Sequence, residues 1–86
     1  MRAIYPPVYR PDLLRQDVAA RLQRTYEWTR AASAVVPQVA EQIAAPLTVA
    51  AQLYDAEQYQ AALQQLSGAV MMAHQARMAY PALPGL

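Results

Sequence analysis

The sequence predicts an all-α fold, a small helical hairpin or three-helix arrangement with extended, proline-containing arms at its N- and C-terminal ends. Apolar residues recur at three- and four-residue spacing, which is the period of a helix buried on one side. No stretch of useful length alternates apolar and polar residues, and β-branched residues are sparse. We therefore predict one domain over residues 1–86, with an N-terminal arm (1–11), a helical body (12–79) and a C-terminal tail (80–86).

Both ends of the chain are rich in proline and in large apolar side chains. Proline holds the backbone in extended or polyproline-like conformations, so neither end is expected to continue a helix. The apolar side chains need cover, and we expect each end to be docked, either on the chain's own core or on a neighbouring molecule. These side chains are Ile4, Tyr5, Val8 and Tyr9 in the arm and Tyr80, Leu83 and Leu86 in the tail.

The first helix is predicted to begin at Pro11 and Asp12, since proline suits the first helical position and an acid suits the first turn. Pro37 ends or kinks this helix, because proline has no backbone N–H to donate. Between these points one apolar stripe recurs at helical spacing. It consists of Leu14, Val18, Leu22, Thr25, Thr29, Ala32 and Val36.

The second half of the chain predicts further helical segments. A short piece is expected over residues 38–45, and Pro46 either breaks it or begins a new helix that runs to about residue 54. A turn over residues 55–58 leads into a last helix, from about 58 to 79. Gly68 in its middle costs about 1 kcal/mol relative to alanine, so we expect it to mark a close backbone approach. The stripe of this helix is Tyr59, Ala62, Leu63, Leu66, Ala69, Val70, Ala73 and Ala76.

Part of this region matches the register by which one family of helical hairpins packs its two helices. The matching positions are Ala50, Leu53, Tyr59, Ala62, Leu66 and Ala69. Over residues 43–76 the chain thereby resembles a single tetratricopeptide repeat, which implies an antiparallel helix pair that binds peptides or stacks on further repeats. It departs from the family at Glu57, where a turn glycine is usual, at Pro46, where a bulky aromatic is usual, and at His74, near the expected closing proline. There is also one copy, whereas such repeats bury their faces on neighbours.

Composition excludes several kinds of site. The chain has no cysteine, and therefore no disulfide framework, zinc ribbon or thiol nucleophile. One histidine and two serines do not assemble a nucleophile, a base and an orienting acid, since Ser67 and His74 would lie roughly 10 Å apart along one helix. Two glycines cannot form a glycine-rich phosphate loop. We predict no enzyme activity and no cofactor.

Met71, His74 and Met78 fall at helical spacing on one face, beside the apolar stripe of the last helix. Two thioethers and an imidazole could hold copper(I). Methionine at this spacing more often packs against apolar surface, and methionine-rich faces are common at adaptable binding surfaces. We therefore predict a protein-contact face here and no metal site.

Charge is sparse and unevenly distributed. Charged residues make up 15% of the chain, where a soluble domain typically has about 25%. This fits either a GC-rich genome that favours alanine and arginine or a surface partly covered by a partner. Six of the seven arginines lie in the first thirty residues, and the remainder is mildly acidic. Such polarity could orient like copies head to tail.

The predicted first helix carries side chains that could meet phosphates and stack on bases, namely Arg15, Arg21, Arg24, Arg30, Tyr26 and Trp28. The chain has no lysine, however, its net charge is only +1, and Asp17 and Glu27 interrupt the basic set. Nucleic acid is therefore the less favoured partner. Tyr26 and Trp28 are instead predicted to contact protein, because aromatic side chains are enriched in interfaces.

The leading functional prediction is a non-enzymatic structural or assembly subunit, acting by protein contacts in a homo-oligomer or larger complex such as a virion, filament or secretion machine. The alternatives are a soluble adaptor, chaperone or inhibitor that binds one target in a helical groove, and a nucleic-acid-binding regulator. No targeting segment or membrane span is predicted, since the most apolar window (31–53) contains two prolines and a glutamate. A cytoplasmic location, or an assembly built in the cytoplasm, is expected.

Overall fold

The computed structural model describes residues 11–86, with side chains from residue 13 onward, and has three helices. They are α1 (Pro11–Ser33), α2 (Pro37–Asp55) and α3 (Tyr59–Ala79). No strand occurs in this described range, and the all-α prediction is confirmed. The apolar side chains predicted to dock the N-terminal arm lie outside the described residues: Ile4, Tyr5, Val8 and Tyr9.

Two apolar clusters hold the helices together and show how the chain runs. The Trp28 cluster joins the end of α1, the start of α2 and the end of α3, whereas the Val18 cluster joins the opposite ends. α1 and α3 therefore run in one direction and α2 runs back between them, in contact with both. The buried members are Trp28, Ala32, Val39, Ile43, Ala69, Ala73 and Leu83 in the first cluster and Val18, Leu47, Ala50, Ala62 and Leu66 in the second.

Prolines bound α1 as the sequence predicts. Pro11 is its first residue, and the helix ends at Ser33, shortly before Pro37. The Val36 N–H still donates to the Ala32 carbonyl, at 2.8 Å, across the connecting turn. Val36 itself is extended, with φ −136° and ψ 90°, because the ring of a following proline disfavours helical backbone. Pro37 then begins α2, where its missing N–H costs nothing.

α2 runs unbroken over Pro37–Asp55, so the predicted break or new start at Pro46 is wrong. Pro46 has no N–H to donate to the Gln42 carbonyl, and the helix loses one backbone hydrogen bond there. Ile43 and Leu47 flank this position and are both buried, the first in the Trp28 cluster and the second in the Val18 cluster. Because packing holds the helix on both sides of Pro46, burial outweighs the local preference for a break.

The turn between α2 and α3 is a Schellman motif. The Glu57 N–H donates to the Tyr54 carbonyl at 3.0 Å, and the Gln58 N–H donates to the Leu53 carbonyl at 2.8 Å. Glu57 has a φ of 62°, in the left-handed region that this motif needs and that glycine adopts without steric cost. The rings of Tyr54 and Tyr59 pack across the turn, with centroids 5.5 Å apart. The predicted turn is confirmed, and a residue with a Cβ occupies its left-handed position.

Glu57→Gly is expected to raise the free energy of unfolding by about 1 kcal/mol, because it removes the conflict between Cβ and the carbonyl in left-handed backbone. Urea denaturation followed by circular dichroism measures the change. The matched control is Gln58→Gly, at a position with negative φ, which gains nothing from glycine. Equal effects of the two substitutions would contradict the assignment of strain to Glu57.

Gly68 lies exposed in the middle of α3, and a Cβ added there would meet no atom within 4 Å. The expectation that it marks a close backbone approach is therefore wrong. The stripe predicted for this helix is confirmed, since its centre is buried and its flanks are half-buried. The fully buried members are Ala62, Leu66, Ala69 and Ala73.

Gly68→Ala should raise the free energy of unfolding by up to about 1 kcal/mol, since alanine restricts the unfolded chain and the added methyl group meets open space. Thermal unfolding would then shift upward by about 4–8 °C. Gly85→Ala is the control, because Gly85 also faces open space but lies outside the helices. A loss of stability in Gly68→Ala would contradict the open space found beside Gly68.

Candidate protein-binding surface

The C-terminal tail folds back onto the helices after α3 ends. The Tyr80 N–H closes the helix on the Ala76 carbonyl at 2.7 Å, and the Leu83 N–H donates to the Tyr80 carbonyl at 3.0 Å, which turns the chain. Leu83 is 3% exposed and belongs to the Trp28 cluster, and Leu86 packs against the edge of that cluster. Of the two docking sites expected for the tail, the structure places it on the chain's own core, so it is not an arm that extends outward.

Trp28 connects the tail to α1. Its indole Nε1–H donates to the Pro84 carbonyl at 2.7 Å, and the side chain is 4% exposed. A buried indole N–H needs an acceptor, and carbonyls inside α-helices already accept from the N–H four residues later. Pro84 lies outside the helices and supplies one. Trp28 and Leu83 were both predicted to contact a partner protein. Within the single chain both are buried in the Trp28 cluster, and their contact with a partner stays a prediction.

Beyond the tail lies an open furrow between α1 and α3, with a volume of about 360 Å³. Leu66 and Val70 form an apolar floor, and Met71, 61% exposed, stands on its α3 side. Leu86 lines one end, so the tail and the open furrow are continuous. We call this depression the α1–α3 furrow; it is lined by Arg21, Arg24, Thr25, Leu66, Ser67, Val70, Met71, His74 and Leu86.

Positive and polar side chains edge this furrow. Arg24 and His74 line it, and so does Arg21, whose Nε donates to Asp17 Oδ2 at 3.1 Å. Both partners of that ion pair are about half exposed, so water and salt screen it. No aspartate or glutamate side chain is among the described residues that line the furrow. The furrow is therefore apolar at its floor and electropositive at its edge.

Thr25 is the one buried polar residue among those described, and it serves the helix. Its Oγ1 donates to the Arg21 carbonyl at 2.8 Å, and Thr29 repeats the arrangement one turn later on the Thr25 carbonyl. A hydroxyl satisfied in this way needs no ligand. Thr25 therefore contributes shape to the furrow wall and no free polar group.

The predicted partner-contacting residues divide between several places. Met71, His74 and Leu86 line the furrow. Met78 and Tyr80 are exposed, Met78 at 86%, near the point where α3 gives way to the tail.

Tyr26 is exposed on another side of α1, in an apolar depression against α2. The Arg30 guanidinium lies 6.0 Å from its ring centroid. The remaining lining residues of that depression are Ala19, Leu22, Gln23, Leu47, Ala51 and Tyr54. The sequence therefore placed Tyr26 correctly at the surface but on a different face from the furrow.

Several furrow residues were not predicted as contact residues. Leu66 and Val70 were assigned to the apolar stripe of α3, which is where they lie, at the border between core and surface. Arg21 and Arg24 were considered for phosphate. What joins these four residues is their shared position at the boundary between α1 and α3. That position depends on the angle between two helices that are distant in sequence.

Among residues 11–86, no three His, Cys, Asp or Glu side chains are grouped so that they could hold a metal ion. Within the same range, none of the helices combines the length and the apolar character needed to cross a bilayer. Comparison with protein-family models, with curated proteins and with solved structures finds no match to this chain. The resemblance of residues 43–76 to a tetratricopeptide repeat therefore stays a prediction.

Leu83→Ala should lower the free energy of unfolding by about 2–3 kcal/mol, the usual cost of removing most of a buried leucine. Loss of this anchor also admits water to Trp28, so tryptophan emission should shift to the red. Guanidinium denaturation read by fluorescence measures both effects. Met78→Ala is the control, because that side chain is almost fully exposed and should change stability by less than about 0.5 kcal/mol. If Leu83→Ala also leaves the free energy of unfolding and the tryptophan emission unchanged, the tail does not stabilise the fold.

Proposed function

We propose that this chain is a non-enzymatic structural or assembly subunit that acts through protein–protein contacts, in a homo-oligomer or a larger complex. The observation that supports the proposal best is the α1–α3 furrow, an apolar surface that the chain's own tail fills only in part. An apolar centre within a polar rim is the usual anatomy of a protein interface. A virion, a filament or a secretion machine would be suitable settings, in the cytoplasm or in an assembly built there.

The side chains around the furrow suit adaptable contact. Methionine is flexible and polarisable, so exposed Met71 can fit partners of irregular shape. Arg21 and Arg24 add long side chains of a type that is enriched in interfaces. Exposed Met78 and Tyr80 extend the apolar surface past the end of α3. Exposed apolar side chains such as Met71, Met78 and Tyr80 are typical of interaction sites in small domains.

A second candidate, an adaptor or chaperone that binds one target segment, has one specific observation in its favour. Two arginines and a histidine line the furrow, and no aspartate or glutamate side chain is among its described lining residues. A target with acidic residues beside apolar anchors would match this pattern of charge. The two candidates differ in what free protein does: an assembly subunit self-associates, whereas an adaptor stays small until its target arrives.

The positions of the arginines on α1 argue against nucleic acid as the partner. Arg21 and Arg24 line the α1–α3 furrow, whereas Arg30 lies on the side that faces α2, in a depression that also contains Glu41. Phosphate binding along a backbone needs a continuous basic stripe. Division of the arginines between two faces of α1 interrupts such a stripe.

The test of the assembly proposal is the mass of the full-length protein, measured by light scattering across a wide range of concentration. We expect self-association, and we expect Met71→Glu to weaken it at least tenfold, because it places a charge on the apolar surface. A version lacking residues 1–11 should also have a lower mass if the arm docks on a neighbour. Val49→Glu is the matched control, since Val49 is exposed on α2, which does not line the furrow.

A protein that remains monomeric at every concentration would contradict self-assembly. If such a monomer gains thermal stability with an acidic, leucine-containing synthetic peptide, and Met71→Glu removes that gain, the adaptor function is supported instead. If Met71→Glu and Val49→Glu reduce an observed assembly equally, the contact surface lies elsewhere.

A further inference from the structure

The tail is held as a peptide ligand would be held. Leu83 is inserted among Trp28, Ala69 and Ala73, and the Pro84 carbonyl accepts from the Trp28 indole at 2.7 Å. Leu86, three residues after Leu83, packs at the edge of the same cluster. These are two apolar anchors and one directed hydrogen bond to the ligand backbone. Aromatic side chains bind proline-containing segments in this way in several peptide-recognition domains.

The connection between the tail and α3 is slight. After Ala79 the chain passes through Tyr80, Pro81 and Ala82, all exposed, and one backbone hydrogen bond closes this turn. Opening the turn moves only the seven residues that follow α3. Proline at positions 81 and 84 also limits the freedom that a released tail gains, so rebinding costs less entropy.

We infer that the Trp28 socket, formed by Trp28, Ala32, Ala69 and Ala73, is an exchangeable binding site for an extended Leu-Pro-Gly-Leu segment, and that its occupant in the assembly is the tail of a second copy. An identical tail makes identical contacts, so exchange between copies loses no contact made within one chain. The inference rests on the proposed assembly function for the identity of that occupant.

The Trp28 socket is continuous with the open furrow, and this favours a second copy as the occupant. Exchange of tails alone would only restore the original contacts, whereas a second copy beside the furrow can add further ones. Leu86 and Arg24 line both the α1–α3 furrow and the depression between the tail and α1. A tail that arrives from another molecule brings the body of that molecule beside this one, and with it side chains such as Met78, which is 86% exposed in the single chain. Half-buried Val70 and exposed Met71 in the furrow can then be covered by the neighbour. Exchange would thus add contact that the single chain cannot make.

The first test uses a labelled peptide with the sequence of residues 80–86 and fluorescence anisotropy on the full chain. The chain's own tail competes for the socket, so apparent affinity is reduced by the fraction of time that the socket is open. Leu83→Ala weakens the resident tail and should tighten peptide binding by about tenfold or more. A peptide in which the leucine equivalent to Leu83 is alanine is the ligand control, and Met78→Ala is the protein control.

Tighter binding to Leu83→Ala than to Met78→Ala supports an exchangeable socket. Equal binding to both variants, or no loss with the control peptide, would overturn it. The outcome of this peptide test is independent of the outcome of the assembly test. Met71→Glu can dissociate an assembly whether or not the tail is exchanged. Conversely, a monomeric protein could still bind the peptide.

The second test asks whether the occupant is a second copy, and it uses the absence of native cysteine. Ala31 and Gly85 line the same depression, one on α1 and one on the tail. Ala31→Cys and Gly85→Cys proteins are mixed, incubated at the concentration where the chain self-associates, oxidised and separated on a denaturing gel. Exchange predicts a disulfide-linked heterodimer. Gly68→Cys replaces Gly85→Cys as the control for random encounter, since Gly68 is also exposed.

A yield of heterodimer clearly above that of this control supports exchange. A yield equal to the control overturns exchange. The doubly substituted chain, Ala31→Cys with Gly85→Cys, verifies the geometry. If it closes only within one chain, as a monomer on the gel, the tail stays on its own core and the inference fails.

Discussion

The need of a buried indole for a hydrogen-bond acceptor is the constraint on which much of this structure depends. Trp28 lies inside a bundle whose helical carbonyls are occupied by their own backbone. An unpaired buried N–H would cost roughly 1–3 kcal/mol. The other buried side chains of the Trp28 cluster carry no acceptor, so the acceptor is drawn from backbone outside the helices. The Pro84 carbonyl meets this need. The fold is therefore completed by its last residues and not by α3 alone.

The alanines of the Trp28 cluster explain why the tail also supplies volume. Ala32, Ala69 and Ala73 are all fully buried, but each methyl group removes little apolar surface from water. Leu83 fills the space that these small side chains leave beside the indole. Burial of one leucine is worth about 1.5–3 kcal/mol, against a total stability of roughly 5–15 kcal/mol for a natural domain. A seven-residue tail can thus hold an appreciable part of the stability of the chain.

Rules based on neighbouring residues correctly predicted the helix ends that depend only on neighbouring residues. Pro11 and Pro37 set the limits of α1 and the start of α2 by the absence of an N–H, which depends on no other part of the chain. The turn at Glu57 was predicted from its polar sequence, and the structure shows the left-handed backbone that makes glycine usual there. Pro46 was misjudged for the opposite reason, since burial on both sides of it comes from two distant helices.

The candidate site was less predictable than the helices because it is made of contacts between distant residues. Trp28 and Pro84 are 56 positions apart, and no periodicity within α1 or the tail identifies such a pair. The sequence did show that the tail needs cover, and it left open whether that cover is the chain's own core or a neighbour. It also treated Trp28 as a surface residue, although Thr25, Trp28 and Ala32 follow helical spacing and are all buried. The predicted stripe passed from Thr25 to Ala32 through Thr29 and so left out Trp28, the more deeply buried of the two neighbours.

Because the tail occupies the Trp28 socket within one chain, any molecule that binds the socket must first replace contacts that already exist. A foreign segment has to make up for the loss of Leu83 burial and of the bond to Pro84, and it gains only the difference. The tail of a second copy restores the same two interactions, so exchange between copies is balanced in contacts, and only the translational and rotational freedom lost on association has to be offset. Any additional contact along the furrow then acts directly in favour of association. Occupation of the socket by the chain's own tail therefore places a foreign segment at a disadvantage that the tail of a second copy does not have.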